Sequence, residues 1–139
     1  LLFRILDMIV TSDIYKILFE RVKDFGIKEI YDSWNPIKSE LEEEAIVIVI
    51  STPISPDTYW ESAFAYVNIC VPDYLHEVNT VRLNEVERLA ELWIRDGIVD
   101  EYDGSWYFIS KSSIGIERDE GLKCSYVSVR LSFEVLNIN

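Results

Sequence analysis

The N-terminal part of the chain repeats apolar residues at the three-to-four-residue spacing of an amphipathic helix. The clearest repeat predicts a helix over 13–25, with Thr11 or Ser12 as its N-cap and Gly26 as a left-handed C-cap. The same spacing predicts a shorter helix over 1–10. The apolar face expected on the longer helix consists of Ile14, Leu18, Val22 and Phe25.

A second strong helical repeat occurs in the middle of the chain. It predicts a helix over 81–96, with Asn79 or Thr80 as the N-cap and Gly97 as the C-cap. The buried stripe expected on this helix consists of Leu83, Val86, Leu89, Ala90 and Trp93.

Five segments have the composition of β-strands, namely 27–34, 45–50, 61–71, 106–110 and 122–137. The third and fifth alternate apolar and polar residues, which indicates one buried face. The second is apolar throughout and rich in β-branched residues, so we expect both of its faces to be covered. The last segment is long enough to pair with two neighbours.

Prolines and polar residues predict the connections between these elements. We expect an extended loop over 51–57, a tight turn at Asp103 and Gly104, and an exposed turn over 111–121. The order of elements then predicts an α+β fold, with a single mostly antiparallel sheet of about four to five strands and helices packed on one face. The length of 139 residues predicts one domain, 1–139.

Acidic residues outnumber basic ones, 25 to 13, and the formal net charge is −12. Neither half of the chain carries a basic cluster, so we expect no direct binding to nucleic acid or to an anionic membrane surface. No apolar run reaches the ~20 residues of a membrane-spanning helix. The first ten residues lack the basic start and small-residue cleavage site of a signal peptide.

The residues that usually carry catalysis are sparse. His76 is a single histidine in a predicted loop, and five glycines leave no phosphate-binding loop. Cys70 and Cys124 have no metal-binding spacing, so we expect reduced, buried thiols, with a cross-strand disulfide as the alternative. The sequence therefore predicts no catalytic residues, no metal, no cofactor and no enzymatic activity.

Aromatic residues beside prolines provide the candidate binding surface. The proposed interface residues are Trp34, Pro36, Asp57, Tyr59 and Trp60, because exposed Trp and Tyr often anchor protein interfaces. The alternative is that these aromatic side chains cover the core beneath long loops.

The ordered set of motifs resembles small bacteriophage tail-terminator or tail-completion proteins, in particular those of Bacteroides-type prophages. The segments that carry the resemblance are ILDMIVTSDIYKIL, EIYDSWNP at 29–36, EEEAIVIVI, YVNICVPD at 66–73, NTVRLNEVERLAEL at 79–92 and YVSVRLSFEVLNI at 126–138. They cover almost the whole chain in the same order. The loop at 51–60 and the acidic segment at 111–121 depart from some relatives.

The resemblance implies a structural protein of the virion rather than an enzyme. Such proteins form a ring, commonly of six copies, that caps the tail tube and joins it to the head connector, and DNA passes through that ring. The implied partners are other copies of the chain, the tail-tube protein and the head–tail connector protein. The implied locations are the bacterial cytoplasm during assembly and then the tail or neck of the virion.

Three other functions fit the same residues. A related head–tail joining (neck) protein would share the structural role. An acidic intracellular adaptor or immunity-type protein would bind a basic partner as a monomer. A small enzyme would use the abundant carboxylates, although no pair of them is singled out by spacing.

Overall fold

The computed structural model describes residues 9–52 and 60–136, which build one six-stranded mixed sheet. The order across the sheet is β1-β2-β3-β6-β5-β4, with β1 parallel to β2 and every other neighbouring pair antiparallel. The strands are β1 (Glu29–Asp32), β2 (Ala45–Thr52), β3 (Trp60–Pro72), β4 (Ile98–Tyr102), β5 (Ser105–Asp119) and β6 (Cys124–Leu136).

Helix α1 (Thr11–Arg21) continues as a short 3-10 helix over Val22–Phe25. The N-cap is Val10, whose backbone N–H donates to the Asp13 carboxylate at 2.9 Å. The prediction that Thr11 or Ser12 caps this helix is therefore wrong, because the acid three residues after Val10 satisfies the first free N–H instead. The left-handed cap predicted at Gly26 is confirmed by its φ of +70°.

Helix α2 (Thr80–Ile94) begins at the predicted cap, since the Asn79 side chain accepts a hydrogen bond from the Arg82 N–H at 3.2 Å. Its buried stripe is Leu83, Val86, Ala90 and Ile94. Leu89 was expected in that stripe but is 43% exposed, because it lies on a flank of the helix, about 100° around the axis from the centre of the buried stripe. In the described part of the chain, no helix is long and apolar enough to cross a membrane.

The core lies between one face of the sheet and the two helices. In β2 the side chains of Ile46 and Ile48 are buried, whereas Val47 and Val49 are half-buried, so the expectation of two fully covered faces is wrong. The sheet residues that complete the core alternate along three strands: Ala63, Ala65, Val67, Ile69 and Val71 in β3, Tyr107 and Ile109 in β5, and Val127, Val129, Leu131, Phe133 and Val135 in β6.

The predicted fold class is wrong. An α+β arrangement with four to five mostly antiparallel strands and helices packed on one face was expected. Instead, six strands form a mixed sheet that curls into a half-barrel, with about 48% strand and 25% helix among the described residues. β4 was missed because its central residues, Val-Asp-Glu, show no apolar alternation.

The segment 111–119 was predicted to be an exposed turn but belongs to β5. It pairs with β6 as far as Asp119, and the turn follows only at 120–123. Its polar side chains are compatible with a strand because most of them are exposed to solvent. On the other side, β4 pairs only with 105–109, so 111–119 forms a free edge within the described sheet.

The curl of the sheet brings its two outer strands, β1 and β4, to either side of α1. On the β1 side, the Tyr15 hydroxyl accepts a hydrogen bond from the backbone N–H of Ile50 in β2 at 3.3 Å. On the β4 side, the Arg21 guanidinium donates to the Asp100 carboxylate at 2.6 Å. Helix α1 therefore spans the opening of the half-barrel and creates a groove between itself and the sheet edges.

Candidate functional site

The α1 groove has a volume of about 860 Å³ and is open to solvent along α1. Its lining combines aromatic rings with carboxylates, so it offers apolar surface together with negative charge. The groove is lined by Ser12, Tyr15, Lys16, Ile17, Phe19, Glu20, Arg21, Asp24, Asp32, Trp34, Asp100, Glu101, Tyr102 and Tyr107.

Trp34 is the most exposed aromatic side chain of the groove, at 65%. Its ring leans on Tyr15, with centroids 4.5 Å apart and planes tilted by 48°. The Tyr15 hydroxyl is fixed by hydrogen bonds with the Ser33 hydroxyl at 3.1 Å and with the backbone of β2. A large apolar surface is therefore presented to solvent on a rigid support, as in anchors of protein interfaces.

The turn after β1 determines where Trp34 lies. One carboxylate oxygen of Asp32 accepts hydrogen bonds from the backbone N–H groups of Trp34 at 2.8 Å and Asn35 at 2.9 Å. This is an Asx-type turn, in which a short acidic side chain replaces the backbone acceptor. Asp32 thus closes the turn and contributes a negative charge beside the exposed ring.

Arg21 occupies the β4 side of the groove. Its guanidinium donates to Asp100 at 2.6 Å and to the Tyr107 hydroxyl at 3.2 Å. The hydrogen bond with Tyr107 raises the pKa of Arg21, and the nearby Asp100 and Asp24 carboxylates raise it further. The Tyr107 ring in turn stacks on the buried Phe133 ring at 5.3 Å, which ties this side of the groove to the core.

The groove is electrostatically negative. Five carboxylates line it, against two cationic side chains, Lys16 and Arg21. Arg21 is already paired with Asp100. Burial raises the pKa of the Tyr102 hydroxyl, and the Asp13 and Asp103 carboxylates raise it further, so this tyrosine is neutral at physiological pH. The groove therefore favours a partner that brings positive charge together with apolar or aromatic surface.

Among the described hydrogen bonds of the groove, none joins a nucleophilic side chain to a general base. Among residues 9–52 and 60–136, no group of three or more His, Cys, Asp or Glu side chains is placed to hold a metal ion. The contacts that are present fix aromatic rings and compensate charge.

The predicted interface residues are not brought together in one place. Trp34 lies in the α1 groove, whereas Pro36 lines a separate, smaller cavity of about 220 Å³. Trp60 is the first residue of β3, and its side chain lies outside the described part. Asp57 and Tyr59 also lie outside the described residues.

The smaller cavity contains the two cysteines, both free and buried. They are diagonal neighbours on adjacent strands, since Cys70 faces Tyr126 and Cys124 faces Pro72 in the β3–β6 register. The hydrogen bond with the Cys124 sulfur raises the pKa of the Cys70 thiol, and burial raises it further. The expectation of buried thiols is confirmed.

Sequence reasoning missed most of the groove. Arg21 and Asp100 are 79 positions apart, and β4, which carries the acid, was not predicted. Tyr15 is adjacent to the predicted apolar face over 13–25 and is not part of it. A useful signal was the aromatic pair Tyr15 and Phe19 at i, i+4 beside that face, because such a pair forms a strip along one side of a helix.

Comparison with known proteins shows a shared fold. No protein-family model and no curated protein matches this sequence. Three chains of known structure match. One of them superposes with a TM-score of 0.60 at 12% sequence identity, over 93% of this chain and 98% of that chain, and its name states no activity, ligand or partner. The likeness therefore establishes the fold alone.

Proposed function

We propose that this chain is a phage or prophage tail terminator, a structural protein that caps the tail tube as a ring and presents a surface to the head connector. Its action is steric: the ring occupies the end of the tube and does not template another tube subunit. The ordered sequence motifs support this role. The protein is then located in the bacterial cytoplasm during assembly and in the tail or neck of the virion.

The α1 groove is the observation that carries the proposal. A ring closes through head-to-tail contacts, in which one surface of a subunit binds a different surface of the next. The groove offers one such surface, because the exposed Trp34 ring rests on the fixed Tyr15 ring. Five surrounding carboxylates select for a cationic and apolar segment on the neighbouring subunit or on the tube protein.

The overall charge supports the same role. The net charge is −12, with 25 acidic residues spread over both halves of the chain. A negative surface facing the centre of a ring repels the phosphate backbone, so DNA passes without being held. The proposal therefore involves no cofactor and no direct binding to nucleic acid.

The test is assembly of the purified protein with its tail-tube protein. Light scattering after size exclusion measures the mass of the particles, and negative-stain microscopy shows whether rings form and whether tubes end at a uniform length. The proposal predicts rings or capped tubes. Tubes whose length distribution is unchanged by a large excess of the protein would contradict it.

A matched pair of variants tests the groove itself. Trp34→Ala removes an exposed ring from the groove, whereas Trp106→Ala removes one that is 47% exposed on β5, outside the groove. We expect tube capping to be weakened at least about tenfold by the first substitution and little by the second, since an anchoring Trp contributes 2 kcal/mol or more. Equal effects would place the docking surface elsewhere.

A second candidate follows from the charge of the same groove. An acidic adaptor or immunity-type protein would use the carboxylates around Trp34 to bind one basic partner with one-to-one stoichiometry. Such a protein stays monomeric when it is mixed with tail tubes and forms a complex of defined mass with a basic protein. A related head–tail joining protein would form rings that bind the connector and leave tube length unchanged.

A further inference from the structure

The free edge of β5 is a second surface that is incomplete in the isolated chain. Residues 111–119 hydrogen-bond to β6 on one side, while β4 covers only 105–109 on the other. Most of this segment is exposed, and Ile116 is 49% exposed although its neighbour Ile114 packs partly against the core. An unpaired strand edge leaves backbone N–H and C=O groups available to another strand.

Both ends of this edge are protected, and its centre is not. At one end, a bulge between Lys111 and Ser113 interrupts the register with β6. At the other end, Arg118 is held by the carboxylates of Asp73 and Glu120. Bulges and charges are the usual means by which proteins prevent edge-to-edge pairing. The accessible part is therefore the short stretch 113–117, which contains no proline.

We propose that 113–117 pairs with the same stretch of a second copy of this chain, antiparallel about a two-fold axis at Gly115. In this register Ile114 faces Ile116 of the other copy, and Ser113 faces Glu117. The two isoleucine pairs form one apolar row on the core side of the sheet, and each serine hydroxyl can donate to a carboxylate. The result is a continuous sheet of two six-stranded halves.

Gly115 fits the position on the axis. A Cβ added to it would meet no atom within 4 Å, so the space above this face of the strand is open to a side chain at position 115. In the pairing with β6, Gly115 faces Ser128, on the side of the sheet away from the core. Shifting the axis to Ile114 or Ile116 would place an isoleucine opposite Ser112 or Arg118. The register centred on Gly115 is the one that pairs all four isoleucines.

The flank of α2 beside this edge does not oppose the approach of a second copy. The Lys111 ammonium donates to Glu91 at 3.1 Å, which places that flank next to the edge. The same flank carries Glu87, Arg88 and Arg95, so both signs of charge are present. The net charge of −12 per copy still acts at longer range, and salt screens it. We therefore expect the dimer to be weak and to tighten as salt is added.

Single cysteines test the pairing and its register. Gly115→Cys places two thiols directly opposite each other across the axis, within the Cα separation that a disulfide allows. Ser113→Cys introduces a thiol on the same face of the strand, but the two copies of it lie four residues out of register. Under mild oxidation we expect Gly115→Cys to form covalent dimers at least about tenfold faster than Ser113→Cys. The native Cys70 and Cys124 are buried, so we expect the wild-type chain to form no covalent dimer under the same conditions.

A charge-matched pair of variants tests the energetics without a cross-link. Ile116→Lys places a charge in the apolar row, whereas Val99→Lys adds the same charge at a 65% exposed valine of β4. By sedimentation at several concentrations, we expect the first to weaken the dimer at least about tenfold and the second to leave it nearly unchanged. Equal cross-linking of both cysteine variants, or a wild-type chain that stays monomeric at high concentration and high salt, would overturn the proposal.

This pairing is independent of the tail-terminator proposal. The two-fold contact joins identical surfaces, whereas a ring closes through different ones. Failure of the Gly115→Cys cross-link would leave tube capping untouched, and failure of tube capping would leave the dimer measurable by sedimentation.

Discussion

Replacing Gly97 by alanine tests how the joint between α2 and β4 is held. Gly97 has a φ of +73°, and its N–H donates to the carbonyl of Ile94 at 3.0 Å, which closes the C-terminus of α2. β4 begins at the next residue and carries Asp100, the partner of Arg21 in the α1 groove. The joint therefore positions one wall of the groove.

Two separate costs follow from the geometry at Gly97. A left-handed backbone costs an L-residue about 1–2 kcal/mol, and the stiffer unfolded chain offsets about 0.4–1 kcal/mol of that. In addition, a Cβ at this position would lie 2.7 Å from a ring carbon of Phe108 and 3.1 Å from the backbone oxygen of Ile109. Overpacking of this kind costs about 1–3 kcal/mol, because the backbone oxygen cannot rotate away. We expect Gly97→Ala to lower the free energy of unfolding by about 2–4 kcal/mol.

Gly26 is the matched control. It has a φ of +70°, and its N–H closes the preceding helical turn on the carbonyl of Lys23 at 3.0 Å, but an added Cβ would meet nothing within 4 Å. Gly26→Ala should therefore lower the free energy of unfolding by only about 1 kcal/mol. Urea titration of the wild type and both variants gives the three values. If the two substitutions cost the same within about 0.5 kcal/mol, the steric argument at Gly97 is refuted.

The remaining predictions concern hydrogen bonds and ionisation. Glu44→Gln should lower the free energy of unfolding, measured by urea titration, by about 1–2 kcal/mol, because the partly buried Arg82 loses its paired carboxylate. Glu20→Gln, at the exposed pair with Lys23, should lower it by less than about 0.5 kcal/mol. Burial and a nearby carboxylate raise the pKa of Tyr126 to about 12, so folding stability should fall as pH rises from about 10 towards 12; Tyr126→Phe should remove part of that fall in thermal melts. Tyr15→Phe should speed amide exchange at Ile50 in β2, because the Tyr15 hydroxyl accepts a hydrogen bond from the Ile50 N–H. Unchanged exchange at Ile50 would contradict that contact.

The strongest periodic signals in the sequence predicted the right elements. The alternation in 61–71 and 122–137 predicted β3 and β6, and the length of the latter predicted two neighbours, which are β3 and β5. The caps at Asn79 and Gly26 were also predicted correctly, whereas the C-cap of α2 is Arg95 and the left-handed Gly97 lies two residues beyond it. These features depend on local backbone preferences and on one buried face, and both are visible in a short stretch of sequence.

The strand β1 was predicted within 27–34, but the curvature of the sheet, the parallel pairing of β1 and the strand β4 could not be predicted in the same way. β1 pairs in parallel with β2 across a twelve-residue connection, and β4 has charged residues at its centre. Both strands are stabilised by one neighbour and by side chains distant in sequence, such as the pairing of Arg21 with Asp100. Only part of the groove was therefore visible beforehand: Trp34 was proposed for its exposure and the adjacent proline, while its support by Tyr15 is a tertiary contact.

The length of β6 explains why the free edge exists at all. All thirteen residues of β6 pair with β3 on one side. On its other side β6 pairs with β5, and the polar half of β5 extends that pairing to the end of β6 at Cys124. β4 has only five residues, because it must return from α2 at Gly97 and end at the turn of Asp103 and Gly104. The outer edge of 111–119 is thus left open by the mismatch between a long hairpin and a short edge strand. A fold built this way keeps its backbone satisfied inside and exposes hydrogen-bonding groups along 111–119, where a second chain can bind without any change in the core.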